Sequence, residues 1–466
     1  MNILFITSDQ HRADCLGIAG HPCIQTPNLD RLAMEGTVFD AAYSDCPVCI
    51  PARTTLITGR QAHHNGCPSY QERFRVARDP STLLGSQLRR AGYHTVLVGK
   101  THWHLDRAED AGFETLVGTG SHAAAVRAAG FEANAHSGIA ANQFDPALCH
   151  LPPHLHSSAW LTSCAIELLE KPDAEGRPLF LWVSYTDPHP PNTIHEPYFS
   201  CYDRCDIPPP VMGDWTLDRP AALEKHQLGN RHPGLRGPHL AKARGVYYGK
   251  ITHLDHQVGR LIGALQRSGR WDNTLIVYTS DHGEHLGDHG DFSKSTFLES
   301  AARVPLLARL PGGWRAGQPA RVAALVQHAD LLPTFCDAAG IAPPQDVDGS
   351  SLLPLLHGEP AEPARSTFHG QIDGQHCWIE GDWKLLYFVG DGRTLLFHRK
   401  DDPQDLRNRS EDEPGLRDRL RDGLLQHLAA ENHPDAEGGR LAVRPDPVTA
   451  ADHHNLLGWM AHASTA

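Results

Sequence analysis

The sequence predicts an α/β fold: a large, mostly parallel sheet sandwiched by helices, followed by a smaller C-terminal α+β subdomain. Three observations carry this expectation. Strand-like apolar runs alternate with helical patterns. Four of those runs end in a polar cluster: 3–7 in Ser8-Asp9-Gln10, 95–98 in Gly99-Lys100-Thr101-His102, 179–185 in Asp187-Pro188-His189, and 274–279 in Asp281-His282-Gly283. After about residue 365 the alternation gives way to short strand patterns and one amphipathic helix. With 466 residues, of which 40% are hydrophobic, the chain can bury one large core and a small one.

The elements read in order as follows. Thr26-Pro27 opens a helix, with Thr as N-cap and Pro in the first turn, and Gly36 stops it. In the stretch CPVCIPARTTLITGR, residues 46–60, Pro51 fits the first turn of a helix that runs through Thr54, Leu56 and Ile57 to Gly59. Residues 81–91 carry Leu84 and Leu88 and stop at Gly92. A longer helix from about residue 241 puts Ile251, Leu254, Val258, Leu261, Ile262 and Leu265 on one face. Residues 118–157 and 206–240 read as long surface excursions that enclose a substrate. In the C-terminal part, 378–387 and 394–398 read as two strands, before a helix carrying Leu416, Leu420, Leu424 and Leu428. The expected division is 1–365 for the main unit, 366–433 for the small subdomain and 434–466 for a docking tail. In that tail Leu456, Leu457, Trp459 and Met460 offer an apolar surface to a second subunit of a homo-oligomer.

Charge and cysteine usage exclude several function classes. Acidic residues outnumber basic ones by 55 to 42, a net charge of -13, which argues against binding nucleic acid or an anionic membrane. An anionic substrate must then be caught by local positive charge. No run of about eighteen apolar residues marks a membrane span, and residues 1–7 lack the pattern of a signal segment, so a soluble, cytoplasmic protein is expected. The 11 cysteines are odd in number and scattered, which favours reduced thiols. Cys46 and Cys49 resemble half of a zinc site or a redox pair, but Cys201 and Cys205 lie far off in a Pro-rich loop.

Two pairs, Asp9-Gln10 and Asp281-His282, stand just after strands and offer carboxylate, amide oxygen and imidazole to a divalent cation. Asp after a strand is often only a helix cap; two pairs at matching places on one sheet point to a metal, because ligands gather at the carboxyl ends of strands. His285 and His289 read as residues of a solvated loop or as outer supports. Cys49 lies beside a helix N-terminus with Arg53 one turn on, a field that favours its thiolate and attracts anions. A tyrosine-phosphatase loop needs a longer Cys-to-Arg spacing than Cys49 to Arg53, and a shorter one than Cys46 to Arg53.

Residues 49–60 resemble the signature of the type I sulfatases of the alkaline phosphatase superfamily, C-x-P-S-R with a T-G-R ending. The likeness extends to Asp9, Thr26-Pro-Asn-Leu-Asp30, Gly99-Lys-Thr-His102, Asp187-Pro-His189, Thr279-Ser-Asp-His-Gly-Glu284 and Lys294. Ala52 replaces the usual Ser, and His282 stands where many members have Asn. Gln10 stands where many have a second Asp, as in the choline-sulfatase and phosphonate-monoester-hydrolase branches.

This resemblance implies that a maturing enzyme converts Cys49 to formylglycine (3-oxoalanine), whose hydrate is the nucleophile. One divalent cation, Ca2+ or alternatively Mn2+, would be held by Asp9, Gln10, position 49, Asp281 and His282. Arg53 would fix the formylglycine, Lys100 and Lys294 would contact sulfate, His102 would be the base that releases sulfate, and His189, with Lys294, the acid for the leaving oxygen. The implied substrate is a small-molecule or saccharide sulfate ester. The alternatives are a phosphonate monoester or phosphodiester hydrolase of the same superfamily, and a non-catalytic metal-binding protein with Cys49 unmodified.

Overall fold

A computed structural model describes every residue except 71–74, 77–78, 106–110, 134–135, 172, 231, 233, 313–319, 360–364 and 450–466. The main sheet is built from β1 (Asn2–Asp9), β2 (Thr37–Tyr43), β3 (His94–Gly99), β4 (Thr115–Gly118), β5 (Leu179–Pro188), β6 (Thr274–Ser280), β7 (Leu306–Arg309) and β8 (Ala320–Gln327). Its spatial order is β8-β2-β7-β6-β1-β5-β3-β4. All neighbours are parallel except those of β7, which runs antiparallel between β2 and β6. β1 is central, with Ile3 opposite Phe180 of β5 and Ser8 opposite Ser280 of β6. Such a strand is covered on both faces, which is why it reads as a continuous apolar run.

Alternate residues of β1 feed two separate cores. Ile3 and Phe5 pack with Leu56 and Ile57 of α2 (Cys49–Thr58), Leu84 and Leu88 of α3 (Leu84–Arg90), and Leu332 and Phe335 of α6 (Leu331–Ala338). Leu4 and Ile6 pack with α1 (Pro27–Met34), α4 (Ser157–Glu170) and α5 (Gly237–Arg267), where Leu254, Val258, Leu261 and Leu265 form the stripe. The α5 helix begins earlier than the sequence expectation, because Pro238 occupies its first turn.

Thr26 precedes α1 as expected but does not cap it. Its hydroxyl donates to Asp30 and accepts from the Gly17 N–H. The first-turn N–H groups of Asn28 and Leu29 donate instead to Asp255 Oδ1 of α5, at 3.0 and 2.7 Å. The excursions are not wholly irregular either: each holds a helix, Thr119–Ala128 and Ala221–Gly229.

The C-terminal subdomain has four antiparallel strands where two were expected: β9 (Thr367–Ile372), β10 (Gln375–Glu380), β11 (Trp383–Phe388) and β12 (Thr394–His398). The run 378–387 folds back on itself at Gly381-Asp382, and β9 turns into β10 at Asp373-Gly374, where φ is 42° and 75°. Those are the positive dihedrals of a two-residue hairpin, which Asp-Gly supports. One face of this sheet packs on α7 (Pro414–Ala430) through Leu420, Leu424 and Leu428. Its other face packs Ile379, Leu386 and Phe397 against Tyr43, Phe297 and Leu298 of the main unit. Residues 434–449 stay on the subdomain: Ala436–Glu437 pairs with Arg440–Leu441, and Tyr387 OH donates to Ala442 O at 2.8 Å. Leu456, Leu457, Trp459 and Met460 lie outside the described residues. Among the described residues no helix is long and apolar enough to cross a membrane.

Candidate active site

The ends of β1 and β6, the loops after β3 and β5, and the first turn of α2 meet at the carboxyl edge of the sheet, where a topological crossing leaves room for a ligand. A cavity of about 540 Å³ opens there, lined by Gln10, Cys49, Lys100, His102, His189 and Lys294. Asp9, Arg53, Asp281 and His282 form its floor and are wholly inaccessible to solvent.

Cys49 is the first residue of α2. Its Sγ lies 3.2 Å from His282 Nε2 and 3.7 Å from Asp9 Oδ1. His282 Nε2 is 3.6 Å from Asp281 Oδ1 and 3.7 Å from Asp9 Oδ1, and the four donor atoms all fall within 4.8 Å of one another. The other ring nitrogen, Nδ1, donates to Gly283 O at 2.9 Å, which turns the Nε2 lone pair toward the cluster. Burial, followed by the neighbouring Asp9, pushes the Asp281 carboxyl up. Burial would also raise the Cys49 thiol, yet Lys100, Lys294, His282 and a hydrogen bond to His102 bring it well below its ordinary value. The floor is therefore an excess of converging lone pairs and negative charge, and a divalent cation fits it.

Cations surround that floor. Arg53 feels the charge of position 49, and its own hydrogen bonds go to the floor: Nε donates to Asp281 Oδ2 at 2.8 Å, one Nη to Asp9 Oδ2 at 3.3 Å and the other to Ser184 Oγ at 2.8 Å. Lys100 Nζ pairs with Asp9. Lys294 Nζ donates to Gln10 Oε1 at 2.6 Å and to His189 Nε2 at 2.8 Å. His189 Nδ1 bonds Pro190 O at 2.7 Å, so the ring carries its proton there and accepts at Nε2. Enclosure and the Lys294 charge hold this imidazole at about 4. His102, in the left-handed region at φ 50°, stands 3.5 Å from Tyr70 OH.

The sulfatase family model matches residues 1–341. This chain belongs to the sulfatase family. A second family model, N-sulphoglucosamine sulphohydrolase, C-terminal, matches residues 287–431 of the sulfatase. Its sequence is 30% identical to an arylsulfatase of Clostridium perfringens, over 97% of this chain and 99% of that protein. It is also 30% identical to the multifunctional alkaline phosphatase superfamily protein PehA of Trinickia caryophylli, over 97% and 99%. Among solved structures, the phosphonate monoester hydrolase of Agrobacterium radiobacter is similar, with a TM-score of 0.76, 26% identity, and coverage of 95% of this chain and 100% of that one.

Sequence reasoning missed several residues of this sulfatase's site. Glu284 accepts from the Gln10 side chain and from the backbone N–H groups of Leu286 and Ser293, at 2.8 and 2.6 Å, and burial pushes it up to about 7. Its signal was its place in the Asp281-His-Gly-Glu284 motif. Gln143, Asp145, Asn230 and His232 reach the cavity from the two excursions, and no motif marks them. His285 and His289 are buried and not in a solvated loop: His285 bridges Ser300 and Thr296, and His289 joins Gly213 N–H to Gln404 O. Cys46 faces Pro68 O, 3.6 Å away.

Proposed function

We propose that this sulfatase hydrolyses sulfate esters of small hydroxylated compounds, using formylglycine formed from Cys49. The observation that carries the reading is the convergence of position 49 with Asp9, Asp281 and His282 at a helix N-terminus inside a lysine-lined cavity. When present, the hydrated aldehyde at position 49 supplies an oxygen nucleophile with a built-in exit, and a divalent cation adjacent to it supplies Lewis acidity. Asp9, Asp281 and His282, with Gln10 beside them, would hold that cation. The oxygen donors suit Ca2+ and His282 leaves Mn2+ open. Cys49 is only 1% exposed, so a maturing enzyme would have to reach it before the chain folds.

The remaining work falls to the chain's own side chains. Arg53 fixes the two carboxylates by one guanidinium and balances their charge. Lys100 and Lys294 face the space above position 49, where they bind the sulfate anion and stabilise charge that grows in the transition state. With its Nδ1 proton tied to Pro190 O, His189 accepts the Lys294 N–H at Nε2, and together the pair supplies a proton to the leaving oxygen. His102 removes the proton whose loss expels sulfate.

A second reading, hydrolysis of phosphonate monoesters, is favoured by the likeness to the Agrobacterium enzyme and to PehA. Both substrates place a tetrahedral monoanion over the same lysines. Comparing kcat/KM on an aryl sulfate and an aryl phenylphosphonate tests the choice: the proposal expects the sulfate to be preferred, and a preference for the phosphonate overturns it.

A further inference from the structure

The seam between the C-terminal subdomain and the main unit holds a convergence of metal-type ligands away from the active site. His63 lies in the turn Ala62–Asn65 that follows α2, His369 in β9, and Glu431 at the C-cap of α7. Their donor atoms all fall within 4.8 Å of one another. His63 Nε2 and Glu431 Oε2, both buried, pair with each other across the seam at 3.0 Å. Two ligands of a tetrahedral ion bound at about 2.0–2.1 Å stand about 3.3 Å apart. His427 Nε2, 3.5 Å from the other oxygen of Glu431, is buried and makes no hydrogen bond.

The tautomer of His369 follows from its neighbours. Asp435, paired with Arg444, is a carboxylate that only accepts, so His376 Nε2 donates to it at 2.9 Å. His376 Nδ1 is then an acceptor, and His369 Nε2–H donates to it at 3.1 Å. That leaves the lone pair on His369 Nδ1, an atom that is buried and unpartnered in a residue only 3% exposed. A carboxylate and a ring that fix the far nitrogen of an imidazole are what orient a metal-ligating histidine.

We propose that this seam binds Zn2+ through His63, His369 and Glu431, with His427 alongside, as a structural clamp between the C-terminal subdomain and the segment behind the Cys49 helix. Two imidazoles and one carboxylate suit zinc better than calcium, in contrast to the oxygen-weighted floor of the active site. The clamp would tie three distant stretches of chain, so its binding energy would appear as resistance to unfolding.

The test uses the full chain, stripped with chelator and dialysed against Zn2+ in excess Ca2+, with zinc counted by elemental analysis. Wild type should hold one more equivalent of zinc per chain than His63→Gln/Glu431→Gln, and zinc should raise Tm in wild type but not in the variant. Should the double variant fail to fold, Glu431→Gln alone is compared, since it is nearly isosteric at the ligand closest to solvent; zinc binding should then weaken at least tenfold. Equal zinc content and equal Tm response in wild type and variant would overturn the proposal.

Discussion

His189 and Lys294 share one proton path, since Lys294 Nζ lies 2.8 Å from His189 Nε2 while Nδ1 is tied to Pro190 O. A strongly basic leaving oxygen needs that proton in the transition state; a nitrophenolate does not. His189→Ala should therefore lose about a hundred- to ten-thousand-fold more rate on an alkyl sulfate than on nitrophenyl sulfate. Equal losses on both would make His189 a positioning group for sulfate. At this scale the sequence was informative where residue type and strand end coincide. Asp9, Cys49, Asp281 and His282 could be named because two Asp-led pairs stand at matching strand ends and residues 49–60 resemble a family signature, and the structure brings the four within 4.8 Å. Arg53 was legible as a neighbour of Cys49 but not in its direction: helical spacing cannot show that its guanidinium points across the sheet to Asp9 and Asp281. Glu284 was hidden because its partners, Gln10 and the Ser293 N–H, come from distant segments.

The helix starts show the same limit one level up. Thr26-Pro27 marks where α1 begins, and it does begin at Pro27, but the cap comes from Asp255, more than two hundred residues away in α5. Local sequence signals position an element; the groups that satisfy its first N–H atoms are a tertiary matter. Asp255→Ala should cost about 0.5–2 kcal/mol, the range for losing a cap, with little change in kcat because α1 lies outside the cavity. Urea midpoints of wild type and variant measure it; an unchanged midpoint would show that Asp255 does not support α1. In the C-terminal subdomain, β10 and β11 merged into one run because Gly381-Asp382 is a short interruption between apolar segments, and Asp373-Gly374 was a hairpin signal left unread. The helix α7 was plain from its leucine spacing, which depends on nothing outside the segment.

For the molecule as a whole, the 32 histidines set the response to acid. Burial holds His11, His156, His289 and His328 at about 4, and His253 and His285 at about 3, against an ordinary 6.5. Below pH 6.5 the unfolded chain takes up protons that these rings refuse, so stability is full above that pH and is lost as pH falls toward 4. Each such ring contributes up to about 1.4 kcal/mol per pH unit. Burial pushes Asp45, Asp255 and Asp405 up to about 6 and Glu284 up to about 7; these act in the opposite sense, but are fewer. Tm should therefore fall steadily between pH 6.5 and 4.5 in a thermal scan, and a flat profile would contradict this balance. The α/β architecture was legible because alternating strand and helix patterns allow few layer arrangements; which strand lies beside which was not, since pairing is decided by contacts between distant runs. The central claim, that position 49 is the precursor of the nucleophile, is tested most directly by the mass of the tryptic peptide 32–53 from an active preparation treated with iodoacetamide. The account predicts one alkylated cysteine, Cys46, and an aldehyde at position 49 that reacts with a hydrazide. A peptide carrying two alkylated cysteines in a fully active preparation would contradict it.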